Sequence, residues 1–113
     1  MISPQSPTLV NPAQLTIGRR EQEGGVILTV RGEVDIASAP WLDRELRHAE
    51  ESSPNRIVLD LADLDFIDSS GVCLLMDARR RADSDGRLLA LIGVPAHARR
   101  LFQITGVETA LLG

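Results

Sequence analysis

The residues of this chain best placed to do chemistry are Asp68, Ser69, Ser70 and Gly71, which follow Leu64–Ile67 and precede Val72. A carboxylate and two hydroxyls stand where an apolar, strand-like stretch gives way to a helix. A serine at a helix start ordinarily caps unpaired backbone N–H groups. An exposed serine in the same place can instead accept a phosphate, which adds nearly two negative charges. At a helix N-terminus that charge is locally favourable, by about 0.3–1 kcal/mol. Modification of Ser69 would therefore leave the fold standing and change what the surface can bind. Asp68 either orients the hydroxyl or caps the helix itself.

Other residue types exclude alternatives. There is no G-x-S-x-G elbow, and neither His48 nor His97 is tied to Ser69 by a motif, which argues against a hydrolase. Asp60, Asp63 and Asp65 lack the glycine and distal glutamate of a calcium loop and read as solvated acids. Cys73 sits alone inside an apolar helical run and reads as a small buried hydrophobe. No metal site and no cofactor is expected, since no glycine-rich phosphate cradle is present. All twelve basic residues are arginine, and the net charge of −4 does not suit a nucleic-acid binder. A receiver domain using Asp60 is set aside because such domains resemble one another in requiring a late-strand lysine, and this chain has none. Arg79–Arg81 reads as the wet face of a helix, His48 and His97 as surface residues, and Trp41 as packing near a helix start.

The elements that must position Ser69 follow from periodicity. Residues 1–13 are rich in Pro, Ser and Gln and read as a flexible N-terminal segment; 14–113 reads as one domain. Gln14–Glu21 alternates as a strand, Gly24 and Gly25 mark a turn, and Val26–Arg31 reads as a second strand, together an antiparallel hairpin. Glu33–Ser38 reads as a loop. Ser38 is the expected N-cap of a helix with Pro40 in its first turn and an apolar stripe of Leu42, Leu46 and Ala49. Arg56–Leu61 reads as a strand, followed by an acidic loop and a helix from Ser69 to a stop at Gly86. Leu88–Ile92 reads as a strand buried on both faces, and Pro95 opens a third helix ended by Gly106.

The order β-β-α-β-α-β-α predicts an α/β fold with a mixed, mostly parallel sheet and an N-terminal β-hairpin. The loops bearing Asp35, Asp63–Ser69 and Pro95 should then share the carboxyl edge of the sheet, where open α/β sheets carry their sites. Asp35 is expected beside Ser69.

Two stretches carry a specific resemblance: Gly32, Glu33, Val34, Asp35 before a Ser/Ala/Pro helix start, and Asp68, Ser69, Ser70, Gly71, Val72. In this β/α context the chain resembles the STAS domain, and within it the bacterial anti-sigma factor antagonists, from Gln14 to Val107. The resemblance implies the STAS fold and a non-enzymatic function. The unphosphorylated protein would bind an anti-sigma factor that is also a serine kinase, freeing a sigma factor. Phosphorylation of Ser69 would abolish binding, and a PP2C-type phosphatase would reverse it. Asp35, Asp68, Ser70 and Gly71 would form the partner surface around Ser69. A cytoplasmic location is expected, with neither membrane nor direct nucleic-acid contact. The alternatives are a STAS accessory subunit binding the ATPase of a phospholipid or solvent ABC transporter, and a stressosome-type scaffold. STAS domains usually continue with a last strand and a C-terminal helix; here Val107–Leu112 leaves room for a short strand or turn.

Overall fold

A computed structural model describes residues 14–113; the flexible segment expected over residues 1–13 lies outside the described residues. Strands β1 (Leu15–Gln22) and β2 (Gly25–Val34) form the expected hairpin, with Gln22 opposite Gly25 and Gly24 at φ +75°. Helix α1 (Ala39–Glu50) follows, then β3 (Arg56–Asp60), β4 (Leu64–Ile67), α2 (Ser69–Asp85), β5 (Leu88–Ile92), α3 (Ala96–Ile104) and α4 (Glu108–Leu112). The strand order is β1-β2-β3-β5, with β4 also paired to β2; only β1 runs antiparallel.

One face of the sheet carries the core. Val26, Leu28, Val30, Ile57, Leu59 and Leu89 are buried there with Leu42 and Leu46 of α1, Leu75 of α2 and Phe102 of α3. Residues of the opposite pleat, Ile27, Thr29, Val58 and Ala90, are only half-buried, so the other face is open. Arg81 of α2 grips Glu50 of α1 with Nε at 2.9 Å and Nη2 at 3.0 Å from its two carboxylate oxygens, fastening the two helices together.

The second strand is longer than its sequence suggests, and this shapes the site. Its first half pairs with β3, Gly25–Thr29 against Arg56–Asp60, and its last residues pair with β4. The changeover falls at Gly32, with φ +104° and a register shift before Glu33. A Cβ there would lie 1.9 Å from the Gln14 carbonyl oxygen. Gly32→Ala should therefore lose more than about 1 kcal/mol, read as a lowered urea midpoint, because both the dihedral and the space forbid a side chain.

The expected Glu33–Ser38 loop accordingly begins only after Val34. The acidic loop expected before Ser69 is partly strand: β4 escapes the alternation test because Leu64 and Ile67 are buried while both Asp65 and Phe66 are exposed. The run Leu88–Ile92 is an edge strand, not one buried on both faces; Leu89 alone is buried. Val107–Leu112 supplies a short helix instead of a strand. Among the described residues no helix is long and apolar enough to cross a membrane.

Candidate functional site

Val34 of β2 lies opposite Ile67 of β4, and the Asp68 amide donates to the Val34 carbonyl at 3.1 Å. Asp35 and Asp68 therefore leave parallel neighbours at one level, about 4.8 Å apart by strand spacing. The expected meeting of the Asp35 and Ser69 loops occurs. The Pro95 loop does not join them: β3 and β5 end opposite Thr29, five residues short of Val34, or about 16 Å back along the sheet. Helix α3 occupies that step, where the exposed His97 holds Nε2 at 2.9 Å from the Leu64 carbonyl oxygen.

Asp35 organises the first loop. Its Oδ1 accepts from the Ala37 amide at 3.0 Å and the Ser38 amide at 2.9 Å, and its own amide donates to Ser38 Oγ at 2.9 Å. The Ser38 N–H, foremost, holds the Asp35 carboxyl below its ordinary pKa, against a smaller opposing effect of desolvation. A group of this kind lends stability fully present above its unfolded value of about 3.9 and lost as pH falls through the lower folded value. An acid titration should thus show the wild type losing more stability below pH ~4 than Asp35→Asn does.

Ser38 occupies the N-cap position of α1 without capping it, contrary to the sequence expectation. Its hydroxyl is fully buried and donates backwards to the Glu33 carbonyl at 2.8 Å. This closed turn pushes Ile36 outward, leaving it 78% exposed.

At the second loop the cap is Asp68. Its Oδ1 accepts from the Ser70 amide at 2.9 Å and the Gly71 amide at 3.4 Å. Ser69 is the first residue of α2, exposed, and its hydroxyl makes no hydrogen bond among the described residues. The helix cap that a serine offers by sequence is thus supplied by the carboxylate before it, which leaves the hydroxyl unengaged among the described residues. Asp68→Ala should cost about 1 kcal/mol of stability, measurable by thermal melting, whereas Ser69→Ala should cost only a few tenths.

Gly71 is buried, so it shapes the site from beneath and presents no surface of its own. Ser70 is half-buried and lines a shallow groove with Ile36, Ala39, Pro40, Cys73 and Leu74. Cys73 is exposed in that groove, not buried as its neighbours suggested. The inward stripe of α2 runs through Val72, Leu75, Ala78 and Ala82, and Cys73 falls about 100° off Val72 around the helix.

The acidic residues are more dispersed than a single loop would make them. Asp63 sits at the start of β4 beside Arg31 at 3.3 Å, five extended residues or about 16 Å from Asp68. At physiological salt that exceeds the screening length of about 8 Å. Asp35 and Asp68 thus lie nearer to Ser69 than Asp63 does. Asp60 turns its carboxylate to the Ala62 amide at 3.0 Å. Among the described residues no group of three His, Cys, Asp or Glu could hold a metal ion. Arg79 and Arg80 pair with Asp83 and Asp77 on the wet face of α2, while Arg81 turns to α1. Trp41 is half-buried against the core under the Arg44 guanidinium, 5.3 Å from the ring centroid. The residue that sequence reasoning missed is Ile36. Its signal was an apolar side chain inside a polar loop with no periodic partner.

Residues 17–113 match the family model described as "Mlab, STAS domain". BtrV of Bordetella bronchiseptica, which its name assigns to the anti-sigma factor antagonists, is 34% identical over 85 residues, 74% of this chain and 72% of its own length. An anti-sigma factor antagonist from Mycobacterium paratuberculosis superposes with a TM-score of 0.74 at 24% identity, over 88% of this chain and 85% of that one. The antagonist SpoIIAA in its unphosphorylated form gives 0.73 at 20% identity over 86% of each chain. The phosphorylated form of SpoIIAA, described as a Bacillus cell fate determinant, gives 0.68 at 20% identity over 86% of this chain and 89% of that one.

Proposed function

Because this chain belongs to the STAS-domain family of bacterial anti-sigma factor antagonists, we propose that it is a phosphorylation-controlled partner switch acting in the cytoplasm. Its unphosphorylated form docks on an anti-sigma factor that is also a serine kinase and so frees a sigma factor. The kinase phosphorylates Ser69, docking is lost, and a PP2C-type phosphatase restores it. The observation that carries this reading is the exposed, unengaged hydroxyl of Ser69 at the start of α2, its capping duty taken by Asp68. The solved phosphorylated form of SpoIIAA supports it, as a structural neighbour known in both states.

Ile36 is the apolar anchor of the docking surface, with Asp35 and Asp68 setting its charge and Ser70 its floor. The test is capture from source-cell lysate by wild type and by Ser69→Asp, with bound proteins identified by mass spectrometry. A small anti-sigma kinase held by wild type and released by the variant is the expected result. The matched family model is that of the STAS domain and does not name the antagonists, so a STAS accessory subunit seated on a transporter ATPase stands as the second reading. Equal capture of an ATPase subunit by both proteins would establish it instead.

A further inference from the structure

We infer that β5 is a self-pairing edge, through which two copies of this chain join their sheets antiparallel about a two-fold axis at Ala90. Among the described residues β5 pairs with β3 alone, which leaves its other side open. Open edges invite pairing, and proteins commonly blunt them with charge, proline or bulges. The opposite edge, β1, carries Arg19, Arg20 and Glu21; β5 reads Leu-Leu-Ala-Leu-Ile, with none of these devices.

The hydrogen-bond phase fits this pairing. The Leu88 amide donates to the Asn55 carbonyl at 3.0 Å, and the Ile92 carbonyl accepts from the Leu61 amide at 2.9 Å. Leu88, Ala90 and Ile92 thus spend their backbone groups on β3, and Leu89 and Leu91 direct theirs outward. A two-fold axis at Ala90 sets Leu89 opposite Leu91 of the second copy, and both pairs can exchange N–H and C=O bonds. The strand is palindromic in kind about that axis, with the smallest side chain at the crossing.

The side chains identify a second copy as the occupant. Leu88 and Ile92 are 57% and 47% exposed on the open face of the sheet, and the axis places each opposite the other's counterpart. In register, Arg56 neighbours Leu88 and Asp60 neighbours Ile92. Each row across the joined sheet then runs Arg56, Leu88, Ile92 of the second copy, Asp60 of the second copy, with opposite charges at its ends. Leu91 is half-buried on the helix-covered face, where Leu89 of the second copy would lie opposite it. Edge pairing of this length falls at the low end of interface sizes, below about 1,200 Å² in total, so the dimer should be weak and concentration-dependent.

Light scattering across a concentration series should show the mass rising from 12.3 kDa toward twice that value. Leu88→Lys and Ile92→Glu, both at exposed positions and so tolerant of folding, should each weaken self-association at least tenfold. Mixing the two variants should restore it, because one row then pairs the lysine with the glutamate and the other remains apolar. Register is read by Ala90→Cys in a Cys73→Ala background. A non-hydrogen-bonded antiparallel pair brings Cα atoms to about 4.5 Å, within disulfide range, so oxidation should give a covalent dimer. Leu88→Cys in the same background should not cross-link. A chain that stays monomeric at several hundred micromolar overturns the inference, as does cross-linking at position 88 that matches position 90.

Discussion

Placing a negative charge at Ser69, by phosphorylation or as Ser69→Asp, should weaken binding to the anti-sigma factor at least a hundredfold while moving the melting temperature by no more than a few degrees. The two halves of this expectation have separate causes. Ser69 is the first residue of α2 and is exposed, so added charge meets no buried group, and the helix N-terminus favours it by about 0.3–1 kcal/mol. That gain is offset by Asp68, whose carboxylate already holds the Ser70 and Gly71 amides, and by Asp35 on the adjoining strand end. The net effect on the fold is close to zero.

A docked partner has no such compensation. It would have to cover the added negative charge together with the carboxylates of Asp35 and Asp68, and like-charge juxtaposition at an interface costs several kcal/mol. A loss of about 3 kcal/mol already corresponds to more than a hundredfold in affinity. Calorimetric titration of the captured partner against wild type, Ser69→Ala and Ser69→Asp separates the effects. Wild type and the alanine variant should bind alike, and the aspartate variant should not. Unfolding of Ser69→Asp would sink the exclusion mechanism in favour of one that remodels the domain.

The second large effect lies beneath the site. A Cβ on Gly71 would approach Ile67 Cγ1 to 2.5 Å and Val34 Cγ1 to 2.9 Å, both on buried, β-branched side chains at the ends of the two strands that carry the loops. Such side chains have little rotamer freedom with which to move aside. Gly71→Ala should therefore cost about 1–3 kcal/mol by overpacking. It should also lift the first turn of α2 off the sheet, changing the spacing between Ser69 and the Asp35 loop. Chemical denaturation gives the first quantity and partner affinity the second. A fully stable Gly71→Ala protein would show that α2 can slide without strain. In a chain that already carries Ile67→Ala, adding Gly71→Ala should cost less, because the Cγ1 that the new Cβ meets at 2.5 Å is then absent.

Local signals in the sequence settled the hairpin and the three longer helices. The glycine pair at 24 and 25, the apolar stripe of α1 and the Gly86 stop of α2 depend on neighbours within a few residues, and all three stand in the fold. The pairing of Asp35 with the Ser69 loop was also legible, since parallel strands leave the sheet in one direction. What the chain could not declare is set by contacts distant in sequence. β4 exists because β2 runs past the end of β3 and offers it a partner, through a bulge at Gly32 that no periodicity reveals. The edge position of β5, the exposure of Cys73 and the inward turn of the Ser38 hydroxyl each follow from which element lies alongside. The sequence left Asp68 between orienting the hydroxyl and capping α2; the structure shows the cap, with the Asp68 amide held by the Val34 carbonyl and its backbone extended. Sequence by itself determined the family, the order of the principal elements and the serine proposed as the site of modification. Tertiary structure alone decided that this serine is exposed and without a hydrogen-bond partner among the described residues, because burial and partnership belong to the packed chain and not to any segment of it.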